Sequence, residues 1–190
     1  WRHFFPRLQA VFPGALSAVG LETFYRAINR SGPSLIRVEA DEVTYNLHII
    51  IRFELELDLL TGALQLDDLP AAWNDKYELY LGVRPNNDAE GVLQDIHWSM
   101  GAIGYFATYS IGNLLSVQLL NCAREALPNL DADISTGDFD ALLGWLRENI
   151  HCHGSKFTPR ELVQRVTGGP MDARPYMRYL REKYSDIYGL

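Results

Sequence analysis

Residues 91–98, Gly91-Val92-Leu93-Gln94-Asp95-Ile96-His97-Trp98, gather an amide, a carboxylate, an imidazole and an indole in one short stretch. A turn-rich run, Gly82-Val83-Arg84-Pro85-Asn86-Asn87-Asp88, precedes it, and a long apolar-periodic segment follows. Polar groups this dense are costly to bury unless each finds a partner. Asp95 and His97 stand two apart, so in extended backbone they share a face. A carboxylate there can fix the imidazole tautomer and hold the ring protonated. A protonated His97 would stabilise the oxyanion of a tetrahedral intermediate. A plainer reading stands beside this one: a solvated loop in which Asp95 caps the next helix and His97 packs. Trp98 reads as core.

A second cluster lies upstream, Ile36-Arg37-Val38-Glu39-Ala40-Asp41, running on to His48. On a helix Arg37 and Asp41 would share a face, so an ion pair of Arg37 with Asp41 or Glu39 is the local reading. Taken together, the two clusters resemble the carboxypeptidase Taq family of zinc metallocarboxypeptidases. Its signatures, IRxxAD and GxxQDxHW, both stand complete at residues 36–41 and 91–98. The likeness continues through Phe106-Ala107-Thr108-Tyr109, Gly112-Asn113 and Lys183-Tyr184-Ser185-Asp186-Ile187-Tyr188. One departure is Ala107, where the family usually has Pro. It loosens the backbone there and removes no functional group.

The resemblance implies roles. A carboxypeptidase binds a free C-terminal carboxylate, which a planar guanidinium takes bidentately, and Arg37 is the candidate. His97 and Tyr109 become candidate catalytic groups, with Tyr109 donating to the developing oxyanion. Tyr105, one helical turn before Tyr109, is the alternate. Gln94 and Tyr105 become candidate substrate contacts, and Asp41 and Asp95 candidate supports behind them. The family's fold is helical, its enzyme a dimer, and its substrate a peptide C-terminus.

The family's zinc requires HExxH, two imidazoles a turn apart with a carboxylate base between them. The histidines here, His3, His48, His97, His151 and His153, offer no such spacing. The family's HESQ motif, which gives the third ligand, and its DxRxT motif are absent as well. The chain opens at Trp1-Arg2-His3-Phe4-Phe5-Pro6, in what reads as mid-helix. The expectation is the C-terminal portion of a larger helical zinc-peptidase fold, inactive alone, whose zinc and upstream half belong to the longer enzyme. The alternative is a non-catalytic helical interaction domain that retains a peptidase scaffold. His151-Cys152-His153 is rejected as a metal site, because residues two apart diverge on a helix and the remaining ligands are missing.

Composition agrees with a folded enzyme part. The chain has 190 residues, 47% apolar and 12% aromatic, enough for one helical unit with a sizeable core over residues 1–190. Its net charge of −7 argues against nucleic acid and anionic membranes as partners. Two cysteines, Cys122 and Cys152, make no disulfide framework and suit the cytoplasm. No apolar run reaches the length of a membrane span.

The elements that must position these residues read as an all-α, multi-helix array. A helix over 21–28 ends at Ser31-Gly32-Pro33-Ser34. Asp41 is an N-cap for a helix of about twenty residues, with Val43, Leu47, Ile50, Phe53, Leu57 and Leu60 as its apolar stripe and Thr61-Gly62 as its end. Alternation over 53–59 also fits a strand, but the length of the run favours helix. Further helices are predicted over 70–81, 98–106, 109–126, 137–150, 158–167 and 171–184. Tyr176, Tyr179, Tyr184 and Tyr188 read as packing residues, and Trp1, Phe4, Phe5, Leu8 and Phe12 as an apolar face without an obvious partner.

Overall fold

The computed structural model describes residues 1–190. The chain is helical throughout, with helices α1 (Phe5–Val11), α2 (Pro13–Leu16), α3 (Leu21–Ile28), α4 (Tyr45–Thr61), α5 (Leu69–Leu81), α6 (Ala107–Ala126), α7 (Leu130–Thr136), α8 (Asp140–Asn149), α9 (Pro159–Thr167) and α10 (Arg174–Tyr188). Short 3-10 turns occur at Arg37–Glu39, Leu66–Asp68 and His151–His153. No helix is long and apolar enough to cross a membrane. Packing divides the chain into two compact units, one of residues 29–112 and one of residues 1–28 with 113–190. No linker in the sequence announces this division.

The 29–112 unit holds both motif clusters. Asp41 starts its main helix: its carboxylate accepts from the backbone N–H of Val43 (2.8 Å) and Thr44 (3.1 Å) and from the Thr44 hydroxyl (2.7 Å). Those backbone donors would otherwise be orphaned at a helix start. Its carbonyl then takes the N–H of Tyr45, where α4 begins, and α4 stops at Gly62. Helices α4 and α5 pack through Ile51, Leu55, Leu69, Trp73, Tyr77 and Leu81, all buried. Burial of each such side chain contributes about 1.5–3 kcal/mol.

Two expectations fail in this unit. Of the stripe, Ile50, Phe53, Leu57 and Leu60 lie on the exposed side of α4, Val43 is exposed just before it, and Leu47 is half-buried. The buried side is His48, Ile49, Ile51, Arg52, Leu55 and Glu56. α4 carries apolar residues on both faces and turns its polar His48, Arg52 and Glu56 inward, so hydrophobic period alone cannot select its inner face. The helix predicted over 98–106 is instead a series of turns. Gly101 and Gly104 sit at φ 73° and 81°, a left-handed backbone that interrupts a right-handed helix.

In the other unit the helix starts predicted at 137, 158 and 171 fall within three residues of α8, α9 and α10, but α7 has no predicted counterpart and α10 runs four residues past 184. Thr158 caps α9 with a reciprocal Thr158–Glu161 box. Asp138 accepts from the N–H of Asp140 and Asp172 from that of Arg174, at the starts of α8 and α10. Phe5 is buried against Phe24 of α3, whereas Trp1, Phe4 and Phe12 are exposed. Tyr176 and Tyr184 are buried as expected, but Tyr188 is exposed.

Candidate functional site

The site is built on the inner face of α4. His48, Arg52 and Glu56 recur every fourth residue, so they stack on one side of the helix. Arg52 is wholly buried. Its Nη1 donates to its own helix, at the His48 carbonyl (2.8 Å), and to the Tyr77 hydroxyl (3.1 Å). Its Nε donates to Asp95 Oδ2 at 2.7 Å and its Nη2 to Gln94 Oε1 at 2.8 Å. Buried arginine requires this kind of saturation, because an unpaired charge in the core is prohibitive.

The irregular segment after α5 is tied down onto that face. Glu56, also buried, accepts from Trp98 Nε1 (2.8 Å) and from the backbone N–H of Gly104 (3.1 Å). One carboxylate thus holds both sides of the glycine-broken turns. Gln94 uses its whole amide inside the protein: its Nε2 donates to the carbonyls of Leu35 (3.0 Å) and Glu90 (2.8 Å), and its Oε1 also accepts from the backbone N–H of Arg37 (2.9 Å). The signature amide therefore joins both signature clusters.

Asp95 sits between two guanidinium groups. Arg37 Nη2 donates to Oδ1 at 2.6 Å and Arg37 Nε to Oδ1 and Oδ2 at 3.0 and 3.2 Å, while Arg52 takes Oδ2. Arg37 Nη1 donates to the Tyr45 hydroxyl at 3.0 Å, and its guanidinium lies 5.0 Å from the centre of the Tyr109 ring. The local pairing of Arg37 with Asp41 or Glu39 is thereby corrected. Arg37 sits in a 3-10 turn, not on a helix with Asp41, and Asp41 is engaged with Ser31, Gly32 and the start of α4.

The electrostatics follow from burial and pairing. Burial opposes ionisation of Asp95, but Arg37 and Arg52 outweigh it and hold its carboxyl below the usual range. Burial likewise opposes charge on Arg37, and Asp95 outweighs it, raising Arg37 further. His48 is pushed down to about 4 by burial and then by the Arg52 and Arg37 charges. Its Nδ1 lies 3.0 Å from the Tyr77 hydroxyl. Burial also raises Tyr77.

His97 stands apart from the Asp95 pairings. Its Nδ1 is 3.9 Å from Asp95 Oδ1, beyond hydrogen-bonding distance. Asp95 is committed to the arginines, so the direct Asp95–His97 bond expected from spacing is not formed. His97 Nε2 instead meets the Tyr109 hydroxyl at 3.0 Å, and its ring packs on Phe106 (4.4 Å between centres). With a proton on Nε2, His97 donates to the Tyr109 oxygen and leaves the Tyr109 O–H free for another acceptor. Tyr105 is half-exposed beside Tyr109, with ring centres 5.6 Å apart.

The structure therefore brings Arg37, Gln94, Asp95, His97 and Tyr109 together with Tyr45 and Arg52. Asp41 belongs to the start of α4, behind them. Sequence reasoning missed Arg52, His48, Glu56, Tyr45 and Tyr77. The signal for three of them was visible: His48, Arg52 and Glu56, polar residues at every fourth position along the apolar run from Leu47 to Leu60.

The family model described as "Carboxypeptidase Taq (M32) metallopeptidase" matches residues 1–184. The thermostable carboxypeptidase 1 of Thermus thermophilus is 51% identical over all of this chain, and carboxypeptidase 1 of Bacillus subtilis 43% identical over 99% of it. The chain spans only 37% and 38% of those proteins' lengths. The crystal structure of an M32 carboxypeptidase from Deinococcus radiodurans superimposes with a TM-score of 0.96 at 49% identity, over 100% of this chain and 38% of that one. A metallopeptidase implies a divalent metal, yet no three His, Cys, Asp or Glu side chains here are arranged to hold one. The residues present do not fit a metal, and His48 and His97 each face a tyrosine hydroxyl instead.

Proposed function

Since the chain belongs to the carboxypeptidase Taq (M32) metallopeptidase family, we propose that it supplies the carboxylate-anchoring part of a longer zinc-dependent carboxypeptidase that removes single residues from peptide C-termini. One observation carries this reading: Arg37 is held rigidly yet incompletely used. Of the five guanidinium N–H groups, Nε, one on Nη1 and one on Nη2 are engaged by Asp95 and Tyr45, which leaves two. The adjoining charges are Arg37 and Arg52 against Asp95, a sum of +1. A substrate carboxylate is the group that balances this sum. Gln94 and Asp95 then serve to orient Arg37.

The reading extends to His97 and Tyr109. The Tyr109 hydroxyl, fixed by His97, is the group that would donate to a developing oxyanion, with Tyr105 flanking the substrate. Zinc would be held by residues outside this chain. We further propose a homodimer in the cytosol, where the free thiols of Cys122 and Cys152 suit the redox state.

The test is a substrate pair. The full-length protein with zinc should release the last residue of an N-blocked dipeptide and leave its C-terminal amide intact. Residues 1–190 alone should release nothing above background. Equal turnover of acid and amide, or chelator-sensitive turnover by residues 1–190, would overturn the reading.

A further inference from the structure

We propose that Arg52 is a positioning residue for the carboxylate-binding Arg37, keeping Arg37 electrically available to substrate. The inference rests on the reading of Arg37 given above and extends it to a residue that touches no substrate.

The argument starts from an imbalance. A guanidinium and a carboxylate in a two-pronged pair neutralise each other and satisfy each other's geometry. Arg37 and Asp95 form such a pair, with Nη2 on Oδ1 at 2.6 Å and Nε on Oδ2 at 3.2 Å. Left alone, it would offer an incoming anion little attraction. Arg52 changes this from the opposite side. It takes Asp95 Oδ2 at 2.7 Å, so the one negative charge is divided between two cations. It has no exposure to solvent, so its charge is poorly screened. Glu56, the next acidic residue along the same face of α4, is turned to Trp98 and Gly104.

Arg52 also sets position. Its Nη2 donates to Gln94 Oε1, the atom that accepts the backbone N–H of Arg37. The main chain of Arg37 and its side chain are thus both oriented by groups that Arg52 holds. Arg52 is itself immobilised by the His48 carbonyl and the Tyr77 hydroxyl, and its guanidinium stacks 4.5 Å from the centre of the Trp73 ring. A lysine could place a charge near Asp95. It has no planar fork to reach Asp95 and Gln94 together.

The experiment uses the full-length zinc-loaded enzyme, an N-blocked dipeptide with a free carboxylate, and three variants: R52M, R52K and R37A. Arg52→Met is expected to raise KM about tenfold with kcat nearly unchanged, the pattern for loss of uniform binding. Arg52→Lys should raise KM by about threefold, part of the way, since charge returns without the second contact. Arg37→Ala should raise KM at least as much as R52M. If R52M does not fold, R52K decides: raised KM at unchanged kcat and thermal midpoint supports the proposal, and wild-type KM overturns it. An R37A enzyme with raised KM beside R52M and R52K enzymes with normal KM overturns the role of Arg52 alone. Normal KM in all three variants removes the carboxylate-binding reading of Arg37 as well.

Discussion

Arg37 meets Asp95 through two nitrogens of one guanidinium, Nη2 at 2.6 Å and Nε at 3.0 Å, across 58 positions of chain. Neither residue is more than one-tenth exposed at its side chain. The pair joins the 3-10 turn at Arg37–Glu39 to the irregular segment after α5, and α4 supplies the second cation beneath it. Such an arrangement is poor as pure stabilisation, because two buried cations must be desolvated for one anion. It makes sense where a further anion has to be received.

The first prediction concerns Asp95. Asp95→Asn leaves two guanidinium groups facing each other, one of them wholly buried. Loss of one partner of a buried ion pair costs about 3–5 kcal/mol. Denaturant titration should show that loss in unfolding free energy. A variant of wild-type stability would mean that the arginines find other partners and that the network is not held by Asp95.

Arg37→Ala should behave differently. Asp95 keeps Arg52, so no buried charge is orphaned. We expect kcat/KM on a free-carboxylate dipeptide to fall by roughly 2–4 kcal/mol, the scale of a charged contact with substrate. Zinc content and thermal midpoint should change little. Activity that disappears only in step with unfolding would favour a purely structural ion pair.

How far this was legible in the sequence depends on which contacts are local. Helix ends were readable, because caps such as Thr158–Glu161 and stops such as Gly62 are settled within a few residues. The site residues of the two motifs were readable as a set, but their pairing was not. Local spacing joined Arg37 to Asp41, whereas the fold joins it to Asp95. The inner face of α4 is not marked by hydrophobicity, because apolar residues lie on both sides of the helix. There the polar residues His48, Arg52 and Glu56 go inward, each with a partner, and Phe53 and Leu57 face out. The turns at 98–106 followed from two glycines that a period count passes over.

Tyr109→Phe removes the hydroxyl that meets His97 Nε2 and, on our reading, the oxyanion donor. Loss of one such donor lowers kcat about a hundredfold or more. KM should move little, since Arg37 and its partners are untouched. Single-turnover measurement separates this from slow product release. A Phe variant with wild-type kcat would return Tyr109 to a packing role.

Stability should depend on pH through His48. The group is held near 4 in the fold against 6.5 ordinarily, so between those values the unfolded chain binds the proton and the folded one does not. Stability is therefore full above about 6.5 and falls as pH drops toward 4, by about 3 kcal/mol. Below that the folded state titrates too and this contribution levels off. Asp95, Asp41 and Glu54, whose carboxyls are also lowered, begin to lose their contributions from about pH 5 downward, so the slope between 6.5 and 5 isolates His48. Thermal midpoints measured from pH 7.5 to 4 should show the slope, and His48→Gln should flatten it. An unchanged slope in that variant would place the titration elsewhere.

The last prediction concerns the surface of residues 1–190 taken alone. In one unit Trp1, Phe4 and Phe12 are 52%, 43% and 55% exposed, even though Phe5 is buried. In the other, Phe53, Leu57 and Leu60 on α4 are 42%, 45% and 67% exposed. Monomers rarely leave contiguous apolar patches above roughly 300–600 Å² open to water. The relatives it matches are more than twice as long, and on the reading proposed above the rest of a longer enzyme covers such faces. Purified residues 1–190 should therefore self-associate, and light scattering should return a mass above 21.6 kDa that rises with concentration. Phe53→Glu with Leu57→Glu places charge on the exposed side of α4, away from Arg52 and the core. That double variant should shift the distribution toward the monomer without lowering the thermal midpoint. A stable 21.6 kDa monomer of the unaltered chain at high concentration would show that these faces need no cover, and that the exposed side of α4 is an ordinary solvated surface.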